Sequence, residues 1–503
     1  MDPTADRSLY EIDTRAWLGA LGRRDGSPAP LTLDRVPEAD LDRLAALGVD
    51  WVWLLGVWKT GPAGREVSLG HPDWLRHYRE VLTDFREADV AGSPFAIQGY
   101  EVAARFGGDD ALRQVRARLR ERGIRLMLDF VPNHTARDHP WVAARPEYYV
   151  QGTDDDLARE PHNFARVETL CGPRVLAFGR DPYFPGWPDT FQLNYRHPGL
   201  RDAMAGELMR AAGLCDGLRC DMAMLGLSEV FRSTWGDRAR HPDGTTPDDS
   251  PFWPAAIARL RASHPETFLL AEVYWGLDGV IRHQGFDATY DKELYDRLRR
   301  LDAPAVRDHL RADPDTHRRS ARFLENHDEE RAAATFPPDV HRAAAVVTYL
   351  SPGLRFFHQG QLEGRKVRPS VHLDRRPDDP TDPALATFYA QVLDILKRPE
   401  PRQGRWRLLE CREAWPGNPT WDRFLTFLWD GPDPGRLLAA VNFGPTQGQC
   451  FVSLPPEERS GTVVRFRDLL GAAVYDRDAQ DLASRGLYLD MPAWGVHVFA
   501  VRR

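Results

Sequence analysis

Four short polar segments of the sequence each follow an apolar run, at residues 129–134, 217–221, 270–274 and 324–328. Their side chains include carboxylates, an arginine and two histidines. Side chains that follow neighbouring parallel strands gather at one end of the fold, where barrel enzymes carry their catalytic groups. Paired carboxylates in such a pocket could cleave a glycosidic bond, because that bond breaks through a positively charged, oxocarbenium-like transition state.

The same four segments carry a family pattern. In chain order they read Asp-x-x-x-Asn-His, Gly-x-Arg-x-Asp, an apolar run ending in Glu, and x-x-Asn-His-Asp. Gly-x-Arg-x-Asp alone occurs by chance in many chains, whereas four such segments in this order and at barrel-like spacings are specific. On these segments the chain resembles the α-amylase superfamily, glycoside hydrolase family 13.

The resemblance implies that Asp221 is the catalytic nucleophile. Asp221 closes the predicted fourth strand, and Arg219 lies two residues earlier, so both project from the same face of that strand. The guanidinium could hold the carboxylate ionised and oriented. The alternative interpretation is a structural ion pair inside the barrel, without a role in catalysis.

The resemblance implies that Glu272 is the general acid. It ends an apolar run, and a carboxyl group in that position tends to have a raised pKa because of desolvation. A raised pKa suits an acid that works near neutral pH, although Glu272 could instead be a salt-bridged residue at the rim. If its carboxyl lies about 5 to 5.5 Å from that of Asp221, the reaction retains anomeric configuration.

The remaining site residues are assigned by the resemblance. Asp328 is the third catalytic carboxylate, which contacts the sugar hydroxyls and favours the distorted ring. A histidine in such a motif is as often structural, and packing in a loop or wall is the alternative for the aromatic residues. The predicted substrate-binding residues are Arg219, His134, His327, Phe95, Asn326 and Tyr274, with Asp129 and Asn133 as support.

Composition restricts the class of protein. The 503 residues, 42% of them hydrophobic, are enough for a large core and one or two smaller modules. The net charge is −8 and the basic residues are scattered, which argues against a nucleic-acid partner. Five cysteines without a Cys-x-x-Cys pair indicate reduced thiols.

The N-terminus and the hydropathy pattern predict a location. Acidic residues open the chain and pass within ten positions into a strand-like segment, so we expect no signal peptide. No stretch approaches the roughly 20 apolar residues of a membrane-spanning helix. The sequence therefore predicts a cytoplasmic protein without a membrane partner, and makes no prediction of its oligomeric state.

Strand and helix signals alternate along most of the chain, which is typical of an α/β barrel. An amphipathic helix at residues 110–122 is one example of the helices between the strands. We predict a (β/α)8 TIM barrel from residues 1–134 and 213–400. Its eight strands begin near Tyr10, Trp51, Leu126, Leu218, Phe268, Ala288, Phe323 and Leu354.

Two further modules are predicted. The connection after the third strand exceeds 80 residues, is rich in Pro, Gly and aromatic residues, and reads as an inserted module that serves a binding site. We assign residues 135–212 to this module, which matches the superfamily's B domain. Short alternating runs in residues 401–503 predict a C-terminal antiparallel β-sandwich, which matches its C domain.

Departures from the family pattern bear on the substrate and on metals. Relatives that cut long α-1,4-glucans often carry Lys-His shortly after the nucleophile, where this chain has Met-Ala-Met-Leu at residues 222–225, and Gly99 replaces an Asp that many relatives have. Both changes point away from a starch-degrading amylase. Residues 22–26 lack the Asp/Asn ladder that holds calcium in some relatives, so we predict no metal and no cofactor.

The leading hypothesis is a retaining α-glycoside hydrolase that acts on short oligosaccharides or on a small glucosylated metabolite. A transglycosylase or sugar isomerase is the nearest alternative, because water and a second sugar compete for the same glycosyl-enzyme. A catalytically silent sugar-binding scaffold, as some superfamily members are, is a third hypothesis. The presence of Asp221, Glu272 and Asp328 argues against silence.

Overall fold

The computed structural model describes residues 7–27, 29–239, 244–432, 435–455 and 463–502. Residues 1–6, on which the prediction about a signal peptide depends, lie outside these ranges.

Eight parallel strands form a closed barrel, as predicted. Each strand pairs with its neighbours in chain order, and the eighth pairs with the first. Their interiors are almost wholly buried, which accounts for the apolar runs in the sequence. The strands are β1 (Ser8–Asp13), β2 (Trp51–Leu55), β3 (Arg125–Phe130), β4 (Gly217–Cys220), β5 (Phe268–Ala271), β6 (Ala288–Tyr290), β7 (Ser320–Arg322) and β8 (Leu354–His358).

The seventh strand differs from its prediction. It begins at Ser320 and ends before Phe323, near which the apolar run predicted its start. The difference arises because β7 contains a buried charge: Arg322 is 1% exposed and donates from Nε to Asp291 Oδ2 at 2.9 Å. A strand that carries a buried ion pair does not read as apolar.

Helices lie between the barrel strands. The helix predicted at residues 110–122 is present as Gly108–Glu121, and its buried residues include Leu112, Val115 and Leu119. None of the helices in the described ranges is long and apolar enough to cross a membrane. The α-helices are Thr14–Arg24, Glu38–Leu47, Pro62–Gly70, Pro72–Val81, Gly108–Glu121, Pro140–Ala144, Asp154–Arg159, Pro198–Leu214, Ser228–Trp235, Phe252–Ser263, Asp278–His283, Lys292–Arg299, Ala303–His309, Pro314–Arg318, Ala332–Thr335, Pro338–Leu350, Pro383–Leu396, Pro399–Gln403 and Ala479–Arg485.

The long connection after β3 builds two small antiparallel sheets above the barrel. His134–Ala136 pairs with Thr190–Gln192, and a second sheet joins Gln151–Gly152, Arg174–Ala177 and Phe164–Val167. The helix Pro198–Leu214 spans residue 212 and contacts the barrel helices Gly108–Glu121 and Phe252–Ser263. The division of the chain at residues 134, 212 and 400 stays a prediction.

The C-terminal part forms the predicted antiparallel β-sandwich. One buried cluster takes side chains from both sheets, including Phe466, Leu487 and Phe499. Trp429 Nε1 donates to the carbonyl of Leu350 at 2.7 Å, which ties the sandwich to the barrel. One sheet orders Arg405–Leu409, Phe424–Asp430, Arg436–Asn442, Val496–Arg502, Val463–Asp468 and Val474–Asp478, and the other orders Cys411–Glu413, Gly448–Val452 and Leu487–Met491.

Candidate active site

Arg219 lies at the centre of a buried cluster of charges at the C-terminal end of the barrel. It is the third residue of β4, its side chain is wholly buried, and its terminal nitrogens contact two carboxyl groups. Nη1 donates to Asp221 Oδ1 at 2.6 Å, and Nη2 lies 2.7 Å from Glu272 Oε2. Asp221 and Glu272 are therefore next to each other across one guanidinium, although they follow different strands.

Two further donors hold the carboxylate of Glu272. The backbone N–H of Met222 donates to Oε2 at 2.7 Å, and the hydroxyl of Tyr274 donates to Oε1 at 2.6 Å. Met222 has a left-handed backbone conformation (φ 42°), which turns the chain after Asp221 toward Glu272. Both carboxyl oxygens of Glu272 therefore accept a hydrogen bond.

Burial raises the pKa of both carboxyl groups that contact Arg219. Burial raises the pKa of Glu272 to about 7, because the negative charges of Asp221 and Asp328 add to it and outweigh the opposing effect of Arg219. Burial also raises the pKa of Asp221 from its ordinary value, against the direct hydrogen bond from Arg219. Near neutral pH, Glu272 is thus poised to gain or lose a proton beside Asp221, whose carboxyl group accepts a hydrogen bond from Arg219.

Asp328 faces the open side of the cluster, with a side chain that is 52% exposed. His327 Nε2 lies 3.0 Å from Asp328 Oδ2. Although desolvation acts in the opposite direction, the positive charge of His327 lowers the pKa of Asp328 to about 2. Asp328 is therefore ionised and accessible in a site whose other carboxyl groups are buried.

Asn326 shapes the segment that carries Asp328. Its Oδ1 accepts hydrogen bonds at 2.9 Å from the backbone N–H groups of Asp328 and Glu329. This Asx-type turn fixes the backbone of the segment. The Nδ2 atom of Asn326 is buried and has no hydrogen-bond partner among the described residues.

Aromatic rings surround the cluster. Phe95, partly exposed, lies 5.3 Å from the ring of His327 and 5.5 Å from the guanidinium carbon of Arg219. Trp53 lies on another side of the same guanidinium, at 5.2 Å. The hydroxyl of Tyr290 accepts a hydrogen bond from Arg219 Nε at 3.2 Å.

The residues that follow β3 connect the cluster to the inserted module. Asp129 accepts from the backbone N–H of Gly56 at 3.0 Å, and Asn133 Oδ1 accepts from Gln192 Nε2 at 2.9 Å. Asp129 Oδ1 lies 3.7 Å from Arg219 Nη1. Burial raises the pKa of Asp129 to about 6. Both residues are fully enclosed, so their contacts fix the loop and the arginine.

His134 lies beside the Phe95 loop. Its ring is 5.1 Å from the ring of Trp187 in the inserted module, and it hydrogen-bonds to the backbone of Phe95. Burial lowers the pKa of His134 to about 3, so this imidazole is neutral in the working pH range. The two histidines of the site therefore differ in charge, because the positive charge on His327 is stabilised by Asp328 and Glu11.

Sequence reasoning missed Glu11, Trp53 and Tyr290. Glu11 lies inside β1, is fully buried, and has its Oε1 atom 2.5 Å from His327 Nδ1. The signal in the sequence was a single carboxylate within the apolar run Leu-Tyr-Glu-Ile at residues 9–12. Trp53 and Tyr290 gave no comparable signal, since buried aromatic residues are common in barrel strands.

A pocket of about 630 Å³ adjoins the cluster and is lined by Met222, Tyr274 and Trp275, among other residues. Trp275, with a left-handed backbone (φ 62°), is 40% exposed and Tyr183 of the inserted module is 68% exposed. The two rings lie edge to face at 5.0 Å. Among the described residues, no three His, Cys, Asp or Glu side chains form a cluster that could hold a metal ion.

We expect Arg219→Met to lower the free energy of unfolding by about 3–5 kcal/mol near pH 8, because it leaves buried carboxylates without their cation. Near pH 5 the loss should be smaller. The folded-state pKa values of Glu272 (about 7) and Asp129 (about 6) are already raised in wild type, and they should rise further when Arg219 is absent. Both carboxyl groups of the variant are therefore protonated at pH 5 and carry no unpaired charge. Urea unfolding at both pH values measures the difference.

Arg322→Met is the matched control for this prediction. Arg322 is also a buried barrel arginine, but its partner Asp291 has a lowered pKa and a second contact in the ring of His309. Its loss should cost similar stability at both pH values. Equal losses for Arg219→Met at pH 5 and pH 8 would contradict the proposed charge coupling.

The chain was compared with known proteins. Residues 38–370 match the family described as Alpha amylase, catalytic domain. Alpha-amylase MalA of Haloarcula japonica is 26% identical over 400 residues, covering 78% of this chain and 48% of that protein. Trehalose synthase/amylase TreS of Mycobacterium tuberculosis is 27% identical over 305 residues, covering 57% of this chain and 42% of that protein.

The chain thus spans about half the length of these curated relatives. Among solved structures, the noncanonic maltogenic alpha-amylase AmyB of Thermotoga neapolitana superposes with a TM-score of 0.69 at 17% identity. That match covers 98% of both chains, so the likeness in fold extends over the barrel, the inserted module and the sandwich.

Proposed function

The chain belongs to the alpha-amylase family, glycoside hydrolase family 13, and from that premise we propose that it is a retaining α-glycoside hydrolase that cleaves short α-glucosides by double displacement. One observation carries the proposal: Arg219 contacts Asp221 at 2.6 Å and Glu272 at 2.7 Å with its two terminal nitrogens. A shared guanidinium supports the short carboxyl separation that retaining glycosidases use, with one carboxylate as nucleophile and the other as acid.

In the first step, a carboxylate oxygen of Asp221 attacks the anomeric carbon. The bond to the leaving oxygen breaks, and that oxygen takes the proton of Glu272. In the second step, a water oxygen attacks the anomeric carbon of the glycosyl-enzyme, Glu272 accepts the water proton, and the carboxylate of Asp221 is released. The hydrogen bond from Arg219 to Asp221 and the pKa of about 7 for Glu272 support this division of roles.

The other site residues act on the bound sugar. Asp328, ionised and exposed, is suited to accept hydrogen bonds from sugar hydroxyls, and charged His327 is suited to donate one. The ring of Phe95 offers the apolar face of a pyranose a platform next to Arg219. Neutral His134 can donate a hydrogen bond to the same sugar, while Asn326 positions Asp328 through its turn.

The segment after Asp221 supports a short substrate. Ala223, Met224 and Leu225 are at most 3% exposed, so this segment presents no polar side chain to the cleft. Relatives that cut long α-glucans often place Lys-His there. We therefore propose an oligosaccharide or a small glucosylated metabolite as substrate rather than starch.

A substrate panel tests the proposal. Maltose, isomaltose, trehalose, sucrose, glucosylglycerate and soluble starch are incubated with the enzyme, and proton NMR follows the anomer that forms first. We expect turnover of a small α-glucoside with the α-anomer appearing before mutarotation. A first-formed β-anomer would overturn the retaining mechanism, and preferred cleavage of starch would overturn the substrate class.

Transglycosylation or isomerisation is the second candidate, and one observation favours it. Tyr183 and Trp275 form an exposed aromatic pair, and Trp275 lines the 630 Å³ pocket together with Tyr274, which is hydrogen-bonded to Glu272. A second sugar stacked there would compete with water for the glycosyl-enzyme. Water and sugar attack the same intermediate. Whether the enzyme acts as a hydrolase or as a transferase therefore depends on whether a second sugar occupies this pocket.

We expect Tyr183→Ala to lower the ratio of transfer to hydrolysis by about 2- to 10-fold, the effect of losing one aromatic stacking contact of about 0.5–1.5 kcal/mol. Hydrolysis itself should change little, because Tyr183 is not part of the charged cluster. Chromatography of products from concentrated disaccharide measures the ratio. Tyr488→Ala, which removes an exposed tyrosine of the β-sandwich, is the control and should leave the ratio unchanged.

A catalytically silent scaffold is the least supported reading, because all three carboxylates and Arg219 are present and in mutual contact or close by. Tight sugar binding without turnover of any α-glycoside in the panel would favour it.

A further inference from the structure

Glu11 is a buried carboxylate for which the described residues supply only one side-chain partner. It lies in β1 with no exposed surface, and its Oε1 atom is 2.5 Å from His327 Nδ1. Its Oε2 atom is buried and has no hydrogen-bond partner among the described residues. Burying a carboxylate with a single partner costs folding free energy. A function for Glu11 would account for a carboxylate at this position.

Glu325, next to the same site, shows the contrast. It is equally buried, but Oε1 contacts Arg331 and His358, and Oε2 accepts from the backbone N–H of Ala332 at 2.8 Å. Both of its oxygens are therefore satisfied, as expected of a carboxylate that joins two loops. Glu11 lacks such partners, and its one contact leads directly to the open cleft.

His327 links Glu11 to Asp328. Its Nδ1 atom faces Glu11, its Nε2 atom lies 3.0 Å from Asp328 Oδ2, and only 4% of its side chain is exposed. The edge of Trp53 at 5.5 Å and the ring of Phe95 at 5.3 Å confine the imidazole from two sides. The three side chains thus form a carboxylate–imidazole–carboxylate row that runs from the barrel interior to the substrate face.

We propose that Glu11 is a positioning residue that holds His327 as an imidazolium, so that Nε2–H is presented to Asp328 and to a hydroxyl of the bound sugar. The inference rests on the proposed glycosidase function for its effect on turnover. Its effect on the charge of His327 does not depend on any substrate. Glu11 itself does not reach the sugar, because the imidazole stands between them.

The surrounding charges favour the imidazolium. The anionic groups that face His327 are Glu11, Asp328, Asp221 and Asp129. The cations nearby are Arg219, which pairs with Asp221, and Arg368, which donates to the carbonyl of Asp328. Burial by itself would lower the pKa of His327. The negative charges of Asp328 and Glu11 raise it by more than burial lowers it, so the pKa of His327 lies well above its ordinary value. Beyond Glu11 lie the hydroxyl of Tyr290 and the His358–Glu325 pair.

The first test measures the charge directly. In wild type labelled at the histidine ring carbons, the NMR signal of His327, assigned by its loss in His327→Gln, should stay in the imidazolium form through neutral pH. In Glu11→Gln its pKa should fall by about 1–3 units, since one of the two flanking anions is lost. An unchanged titration in Glu11→Gln would overturn the proposal, whether or not the protein cleaves any glucoside.

The second test asks whether Glu11 acts through His327. On the preferred substrate of the panel, the basic limb of the wild-type pH profile is set by Glu272. Loss of the His327 proton in Glu11→Gln should move that limb to lower pH and lower kcat/KM at about pH 7.5 by about tenfold. In the His327→Gln background the same substitution should change kcat/KM by less than about twofold. Equal losses in both backgrounds would mean that Glu11 acts on the fold and not through the imidazole.

Glu325→Gln is the matched control, because it neutralises a buried carboxylate beside a different histidine. Its basic limb should coincide with that of wild type, and thermal unfolding of each variant identifies any general loss of structure. If the basic limb moved equally in Glu11→Gln and Glu325→Gln, the specific role of Glu11 would be refuted. If no α-glucoside is cleaved, the proposed function fails while the NMR titration still decides the inference.

Discussion

Asp221→Asn should abolish turnover, with a fall in kcat of at least about 10⁴-fold on the preferred α-glucoside. The amide has nearly the same shape and can still contact Arg219, but it is neutral and cannot form the glycosyl-enzyme. Because Arg219 keeps its contacts with Glu272 and Asp129, the protein should remain folded. Initial rates, with thermal unfolding measured in parallel, test this result.

Asp216→Asn provides the control for this variant. Asp216 is a carboxylate at the opposite end of β4, where it pairs with Arg116 at 2.8 Å and accepts from the backbone N–H of Leu126. It is about as buried as Asp221, and it lies far from the cluster. Its substitution should affect stability and leave kcat close to that of wild type. Similar activity of wild type and Asp221→Asn would remove Asp221 as the nucleophile.

Glu272→Gln should lower kcat by about 10²–10⁴-fold on substrates with a sugar leaving group, the range of general acid catalysis. An aryl glucoside with an acidic phenol needs no proton for departure, so the first step should be nearly normal. Its glycosyl-enzyme should then accumulate, because no base activates the water. Mass spectrometry should find one glucosyl unit on the peptide that contains Asp221.

The pH profile gives a second test of Glu272. The acid must carry its proton, and its pKa is raised to about 7, so wild-type kcat/KM should be high below this value and fall as pH rises through it. The basic limb at that position should disappear in Glu272→Gln. If the variant kept the wild-type limb, the titrating group would be another residue and Glu272 would lose its assigned role.

The expected effects of Asp221→Asn and Glu272→Gln have a common structural cause in the contacts of Arg219. Arg219 holds both carboxyl groups, yet only Asp221 has its carboxylate hydrogen-bonded by the guanidinium at 2.6 Å in addition to the charge interaction. Glu272 receives its other hydrogen bonds from Tyr274 and Met222, and lies where the negative charges of Asp221 and Asp328 add to burial. These contacts support the proposal that Glu272 carries the proton and acts as the acid.

Several features could be predicted from the sequence because they are local. The apolar runs predicted β1 to β6 and β8 closely, and Asp221 and Glu272, which directly follow β4 and β5, lie in the charged cluster. The placement of β7 was less accurate because a buried arginine, paired with Asp291, interrupts its apolar run. The long insertion and the alternating C-terminal runs predicted the two additional modules in outline.

Contacts between distant segments could not be predicted. Glu11 and His327 are 316 residues apart, and nothing near either one in the sequence indicates the other. The division of partners among Asp221, Glu272 and Tyr274 likewise depends on how β4 and β5 align, and the Tyr183–Trp275 pair depends on how the insertion folds over the barrel.

The sequence by itself determined the kind of fold, the family and the chemical groups at the strand ends, because these depend on hydrophobic periodicity and residue type within short segments of the chain. Only the tertiary structure decided which of those groups contact the same cation, which of them compete for a proton, and which of them pack against the same aromatic ring. Closing the barrel sets the distances between the strand ends, and charge interactions and desolvation depend on those distances and on burial, not on separation along the sequence.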